Sequence, residues 1–264
     1  MRGFGEIAER LRRCTAQVFA GERRGAGSGV VWNAGGLILT NAHVARTPTP
    51  RVELWDGRRF DARVAARDSR RDLAALRIPA QGLEAATPGD PSSLCPGDLV
   101  LAIGNPLGFV GALSTGVVHS IGPLPGMGRG RWIRATVRLA PGNSGGLLAD
   151  AQGRVVGINT AIVNGLGVAA PVSAAMDFLE RGARPALGVT LRPLPLGLLI
   201  LELESVGAAA GASLLPGDVL LSSLDELNDA LDSGQDVLRL RFLRGDSRRV
   251  REVSVRLPVR AEAA

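Results

Sequence analysis

The sequence predicts a mostly β chain, a barrel or sandwich of short strands followed by a small α+β module. Three observations lead there. Short runs of strand-forming residues recur with turn residues between them. Two pairs, Asp56-Gly57 and Asn164-Gly165, each separate apolar runs, and such pairs supply the backbone geometry of two-residue hairpin turns. Past Arg181-Gly182-Ala183-Arg184-Pro185 the strand pattern restarts and includes a helix of its own. The expected division is residues 1–182 and 183–264, with 1–15 an extension of the first part.

Taken in order, residues 6–13 form one or two helical turns, Ile7 and Leu11 falling four apart on one face. Strands are expected at Ala16–Ala20 and Gly29–Trp32, then the turn Asn33-Ala34-Gly35-Gly36 and a buried strand Leu37–Thr40 that ends at Asn41-Ala42-His43. Val52–Trp55 and Arg58–Val64 make the first hairpin. After the polar stretch 67–71 an acid opens the apolar segment Asp72–Ile78. Leu99–Ile103, Gly116–Ser120, Trp132–Leu139, Val155–Val163 and Leu166–Ala170 continue the strands, and Val172–Arg181 closes as a helix. The second part shows strands at Leu187–Leu191, Leu198–Leu203 and Val219–Leu221. A helix follows at Leu224–Leu231, where Ser223 and Glu226 have capping-box spacing, and then a hairpin of Val237–Leu243 and Val250–Leu257.

Composition limits the function classes. At 264 residues and 45% hydrophobic content the chain can bury a substantial core. Aromatics are few and tyrosine is absent, so that core is built from small aliphatic side chains. Every basic residue is arginine, and the net charge of +6 is scattered rather than striped. That reads as compositional bias and argues against a nucleic-acid partner. Cys14 and Cys95 stand alone, without the spacing of a metal site, and are expected to be free, partly buried thiols. The first twenty residues carry charges at Glu6, Glu9, Arg10, Arg12 and Arg13 and no apolar run like a signal-peptide core. The chain as written is therefore expected in the cytoplasm, or in the periplasm or at a membrane if a leader precedes it.

The chemistry centres on Gly142-Asn143-Ser144-Gly145-Gly146. Glycines let a serine sit on a sharp turn with its hydroxyl exposed and neighbouring N–H groups converging on one point. The pattern also fits the nucleophile elbow of α/β-hydrolases, but those place a histidine after the serine. Here both histidines, His43 and His119, precede Ser144. A subtilisin-like order of Asp, His, Ser survives only with His119, since no aspartate precedes His43. With His43 the order His, Asp, Ser is available. Among the intervening acids Asp56 and Asp98 look like turn residues, and Asp68 belongs with a solvated arginine-rich face. Asp72 alone heads an apolar strand.

Six motifs then follow in order: Gly27-Ser28-Gly29-Val30-Val31, Leu39-Thr40-Asn41-Ala42-His43-Val44, Asp72-Leu73-Ala74-Ala75-Leu76, Ala102-Ile103-Gly104-Asn105-Pro106, Pro141 through Gly146, and Gly157-Ile158-Asn159-Thr160-Ala161. Over about residues 16–181 the chain resembles the bacterial HtrA/Deg serine proteases, which are chymotrypsin-like. The second part resembles the PDZ domain those proteases carry. The resemblance implies two six-stranded β-barrels followed by an α+β PDZ-like domain. It implies Ser144 as nucleophile, His43 as general base and Asp72 as the acid that orients it, with the amides of Gly142 and Ser144 as oxyanion hole. Thr160 falls where the family places a hydroxyl beside the acid, and residues Thr160, Ala161 and Ile162 would pair with substrate backbone.

Leu139 and Ile162 suggest a pocket for small or medium aliphatic side chains, unless Arg138 faces it and selects acidic ones. The hairpin at 164–165 and the loop 122–130 match loops that switch the family's site on. Unfolded proteins or peptides are the expected substrates, cut through an acyl-enzyme, with no cofactor and no metal. A C-terminal peptide is expected to pair beside Leu198–Leu203 against the Leu224–Leu231 helix. The family also implies a homo-oligomer, a trimer. The rival expectation is a proteolytically weak holdase or scaffold.

Overall fold

The computed structural model describes residues 4–20, 25–125, 127, 130–183, 185–205 and 207–257. Arg184 of the expected linker, and Gly126, Gly128 and Arg129 of the 122–130 loop, lie outside them. The chain forms two compact units, one drawn from residues 1–123 and 130–183, the other mainly from 184–261.

In the first unit, helix α1 (Gly5–Arg13) buries Leu11. Seven strands follow: β1 (Thr15–Phe19), β2 (Gly25–Val31), β3 (Leu37–Thr40), β4 (Arg51–Leu54), β5 (Arg59–Asp61), β6 (Arg63–Asp68) and β7 (Leu73–Arg77). They pair in the order β5-β4-β1-β2-β3-β7-β6. The two end strands are halves of one run, 59–68, broken only at Ala62, so the sheet returns on itself and the expected six-stranded barrel is recognisable. The Ala62 amide makes the corner by donating to the Pro50 carbonyl at 2.8 Å.

The second barrel is closed by strand pairing. Its strands are β8 (Leu99–Gly104), β9 (Ala112–Gly122), β10 (Trp132–Ala135), β11 (Leu147–Asp150), β12 (Val155–Val163) and β13 (Leu166–Pro171), in the cyclic order β10-β13-β12-β11-β8-β9. Its core is small and aliphatic, from Val100, Val118, Ile133, Leu148 and Val156. Helix α2 (Val172–Arg181) buries Phe178 completely. Strand β10 is shorter than the expected Trp132–Leu139: its pairing with β9 is already irregular at Arg134–Ala135, and Thr136 keeps only an amide bond to the Val117 carbonyl at 2.9 Å, its hydroxyl standing in for its carbonyl as acceptor of the Val117 amide. The Arg138 amide then donates to the Ser114 hydroxyl at 2.8 Å.

The expected solvated face at 67–71 is wrong for two of its residues. Asp68 is 1% exposed and Arg71 8%. Arg71 pairs with Asp68 at 3.2 Å and with Asp177, which α2 supplies from 106 positions away. A buried guanidinium is tolerated when carboxylates answer it on both sides. Of the two free thiols, Cys14 is buried and Cys95 is exposed.

The second unit is one sheet in the order β14-β15-β16-β17-β18. The strands are β14 (Val189–Leu194), β15 (Gly197–Leu203), β16 (Val219–Leu220), β17 (Val237–Arg244) and β18 (Asp246–Arg256), with helices α3 (Ala208–Gly211) and α4 (Leu224–Asp232). Its core holds Leu198, Ile200, Leu220, Leu227, Phe242 and Val255. The capping box at α4 forms as expected, Ser223 Oγ accepting from the Glu226 amide and the Glu226 carboxylate from the Ser223 amide. Asp218, 1% exposed, receives both arms of Arg244 at 2.7 and 2.6 Å.

One expectation fails here. Strand β15 pairs with β14 on one side and β16 on the other, and Ile200 also exchanges backbone bonds with Gly217 and Asp218. The expected peptide strand beside Leu198–Leu203 is displaced, because β15 lies inside the sheet, with β14 along one side and β16 and the 217–218 backbone along residues 198–200 on the other. The open edge of the sheet on that side is β14.

Candidate functional site

Strand β3 ends in the turn Asn41-Ala42-His43, closed by the amides of Val44 and Ala45 on the Asn41 carbonyl. This lifts His43 out of the barrel core, its side chain 42% exposed. Asp72 stands one residue before β7 with φ 53°, a left-handed conformation that aspartate tolerates better than most residues. Both of its carboxylate oxygens hold His43. Oδ2 lies 2.7 Å from the ring Nδ1, and Oδ1 accepts from the His43 amide at 3.0 Å. A ring held at Nδ1 in this way presents Nε2 outward.

Behind this pair lies a polar contact that the sequence reading did not assign. The fully buried Asn41 donates from Nδ2 to the Asp72 carbonyl at 2.8 Å and to the Thr160 hydroxyl at 2.7 Å. The Thr160 hydroxyl is in turn 3.5 Å from Asp72 Oδ2. Thr160 reaches this position because β12 bulges there, Asn159 facing Ala169 and Ala161 facing Val168 with Thr160 left over. The available signal for Asn41 is its position two residues before His43, within Leu39-Thr40-Asn41-Ala42-His43-Val44.

Ser144 lies on the turn 141–146. The expected hydrogen bond from its hydroxyl to His43 is not formed; the hydroxyl donates to the Thr160 carbonyl at 3.2 Å. A serine hydroxyl has one proton to donate, and here the Thr160 carbonyl takes it. Catalytic hydrogen bonds of a free enzyme are commonly loose and tighten with substrate bound. The amides of this turn divide into two kinds. Those of Asn143, Gly145 and Gly146 donate to the carbonyls of Ala140, Asn159 and Asn143 at 3.0, 2.8 and 3.0 Å. Those of Gly142 and Ser144 have no acceptor among the described residues. Gly142 adopts φ 104°, open to glycine and strained for other residues.

Beside the turn is a cleft of about 180 Å³ lined by Leu139, Ala140, Pro141, Ser144, Ala161 and Ile162 among others. Of the residues expected to bind substrate, Leu139, Ala161 and Ile162 line it, and Thr160 contributes its carbonyl nearby. Leu139 packs against Gly167, where an added Cβ would come within 3.1 Å of it. Arg138 is exposed and does not line the cleft. His119 is exposed on β9, its Nδ1 3.0 Å from Ser120 Oγ. Asp56 and Asp98 bond the turns they stand in, as expected. Among the described residues no group of three His, Cys, Asp or Glu side chains is arranged to hold a metal ion. No helix among them is long and apolar enough to cross a membrane.

Residues 27–158 match the family described as trypsin-like peptidase domain. A Halomonas elongata protein named "Probable periplasmic serine endoprotease DegP-like" is 34% identical over 276 residues, covering 91% of this chain and 58% of that protein. "Protease Do-like 1, chloroplastic" of Arabidopsis thaliana is 35% identical over 218 residues, covering 72% and 50%. The chain thus spans about half the length of the curated relatives it matches. Among solved structures, the HtrA-type protease AlgW with decapeptide is 26% identical with a TM-score of 0.66, covering 98% of this chain and 99% of that one. The serine endoprotease from Yersinia pestis is 25% identical with a TM-score of 0.64, covering 97% and 98%. With the family match falling on the two barrels, and HtrA-type structures matched over nearly the whole length, the chain belongs to the HtrA/Deg family of trypsin-like serine proteases.

Proposed function

We propose that the protein is a serine endopeptidase acting through His43, Asp72 and Ser144, with residues 1–182 as the protease domain and 183–264 as a PDZ-like domain. The observation that carries this is the pair of amides at Gly142 and Ser144, uncommitted inside a turn whose other amides are bonded. Rotation of the Ser144 side chain turns its hydroxyl from the Thr160 carbonyl to His43 Nε2. His43 takes the hydroxyl proton as the oxygen attacks a substrate carbonyl carbon, and the charge that develops on the carbonyl oxygen falls to the two amides. His43 then passes the proton to the leaving amine, which gives the acyl-enzyme. Water, activated by the same imidazole, releases the acid. Asp72 holds the ring in one tautomer and balances the imidazolium. An oxyanion-hole donor is worth about 3 kcal/mol of transition-state stabilisation.

Extended, unfolded polypeptide is the substrate class this arrangement suits. Thr160, Ala161 and Ile162 would pair with the substrate backbone, so that recognition draws little on sequence. Leu139 and Ile162 favour a small or medium aliphatic side chain before the cut, and the outward placement of Arg138 supports this over an acidic preference. In the PDZ-like domain the open β14 edge is the place for a peptide strand or an assembly contact, in a homo-oligomer such as a trimer. The second reading, a peptide-binding holdase, draws on the Ser144 hydroxyl being bonded to Thr160 rather than to His43.

A fluorophosphonate probe and denatured casein separate the two. Wild type should label and cleave, and Ser144→Ala should do neither. Absence of both from wild type would leave the holdase.

A further inference from the structure

The two free amides are useful only while they point at the same place, and a peptide plane that turns over replaces a donor with a carbonyl. The Gly142 and Ser144 amides share their peptides with the Pro141 and Asn143 carbonyls, and the Gly142–Asn143 peptide joins those two planes and sets the angle between them. The Pro141 carbonyl accepts from the Leu107 amide at 3.0 Å, and the Asn143 carbonyl from the Gly146 amide at 3.0 Å. The Ser144 carbonyl accepts from the Ser28 amide at 2.8 Å. These three anchors are backbone and survive any side-chain change. The fourth, on the Gly142–Asn143 peptide, is mixed: its amide donates to the Ala140 carbonyl at 3.0 Å, while its carbonyl accepts from a side chain, the Ser28 hydroxyl, at 2.6 Å.

We propose that Ser28, on β2 of the first barrel, is a positioning residue for the oxyanion hole, its hydroxyl fixing the Gly142–Asn143 peptide between the two donor amides. The assignment rests on the serine-peptidase reading. It draws on the saturation of this hydroxyl. Ser28 is 0% exposed. Its oxygen already receives the Asn105 amide at 2.8 Å and Asn105 Nδ2 at 3.3 Å, so its single proton is directed to the Gly142 carbonyl. Asn105, 5% exposed, is held in turn, donating to the Ala16 carbonyl at 2.8 Å and accepting from the Gly111 amide at 2.9 Å. The surroundings are tight: a Cβ at Gly104 would lie 3.0 Å from the Ser28 hydroxyl and 2.7 Å from Asn143 Oδ1. Without the hydroxyl, Gly142 keeps a glycine's freedom at φ 104° and loses the one side-chain bond on its carbonyl. Ser28 thus bonds both sides of the nucleophile turn, Ser144 through its amide and Gly142 through its hydroxyl.

The test uses the whole chain with Ser28→Ala and Ser28→Thr. On labelled casein, Ser28→Ala should lower kcat about tenfold to a hundredfold with KM within about twofold, since a hole donor is misplaced rather than deleted. Ser28→Thr, which keeps a hydroxyl, should recover most of that loss. Affinity for a peptide boronate, whose tetrahedral adduct places an oxygen at the two amides, should fall by a factor similar to that in kcat. Hydrogen exchange of the segment 140–147 should quicken in Ser28→Ala and not in Ser28→Thr, and this readout needs no turnover. Unchanged kcat and unchanged exchange in Ser28→Ala would overturn the assignment. So would a loss that tracks a lowered melting temperature and that threonine fails to rescue. A wild type that neither labels nor cleaves would instead refute the peptidase reading, and the exchange comparison would still decide whether Ser28 holds the turn.

Discussion

Replacing Gly142 with alanine should cost both stability and activity, for reasons that can be separated. Gly142 has φ 104°, and an L-residue forced to positive φ pays about 1–2 kcal/mol. The added Cβ would lie 2.6 Å from the Asn105 carbonyl oxygen, 2.9 Å from Pro106 Cα and 3.2 Å from the Leu107 nitrogen. All three are backbone atoms and cannot swing aside, so an overpacking cost of about 1–3 kcal/mol adds to the first. The expected total is about 2–5 kcal/mol. For a unit of this size that is a fall of roughly 5–15 °C in melting temperature.

Gly57 is the control, with φ 85° and nothing within 4 Å of an added Cβ; Gly57→Ala carries the conformational cost alone. Melting should be followed by tryptophan fluorescence in a Ser144→Ala background, which prevents self-digestion. Trp32, Trp55 and Trp132 all lie in the first unit, so the signal reads that unit. With Ser144 restored, Gly142→Ala should lose about 10²–10³ in kcat, as the strain displaces a hole donor. If Gly142→Ala melts within about 3 °C of Gly57→Ala and keeps its kcat, the packing argument and the placement of the hole are both wrong.

Asp72→Asn should lower kcat by about 10⁴ with little change in KM, because the asparagine amide no longer favours the tautomer that leaves Nε2 free; steady-state kinetics on casein checks it, and a loss under tenfold would refute the role. Burial pushes the Cys14 thiol up from 9.0 to about 12. A thiol whose folded pKa is raised contributes stability that is complete below about pH 9 and is lost as pH rises toward 12. The chain has no tyrosine and no lysine to mask this. The urea midpoint should therefore fall between pH 8 and 10.5, and less so in Cys14→Ala. A thiol reagent at pH 8 should meanwhile find the exposed Cys95 in the native protein and Cys14 only after unfolding. Finally, Leu139→Ala should shift preference before the cut toward larger side chains while Arg138→Ala leaves it unchanged; cut-site mapping by mass spectrometry would expose the opposite pattern.

How far the sequence reached follows the range of the interactions involved. The two-residue hairpin at 164–165 and the capping box at Ser223 and Glu226 were legible because each is settled within a few residues; the hairpin at 56–57 forms too, but its loop takes in Trp55, since of the pair only Gly57 has positive φ. Strand β11 was not read, since Leu147–Asp150 follows a glycine pair directly and is too short to show a period. The burial of Arg71 was misread because Asp177, which makes it tolerable, is remote in the chain. The open edge of the second sheet was misplaced because pairing between strands, not the apolar character of Leu198–Leu203, decides which strand is left over.

By itself the sequence determined which side chains can do acyl-transfer chemistry and in what chain order, because nucleophile, base and acid are matters of residue type and spacing along the polymer. Only the tertiary structure decided where the hydroxyls point and which amides stay unbonded. Ser144 turns to Thr160, the N–H groups of Gly142 and Ser144 meet no acceptor among the described residues, and Ser28 crosses from the other barrel to hold the Gly142 carbonyl. Hydrogen bonds are directional and are satisfied by whatever the fold brings near, and no local pattern in the sequence specifies that neighbour.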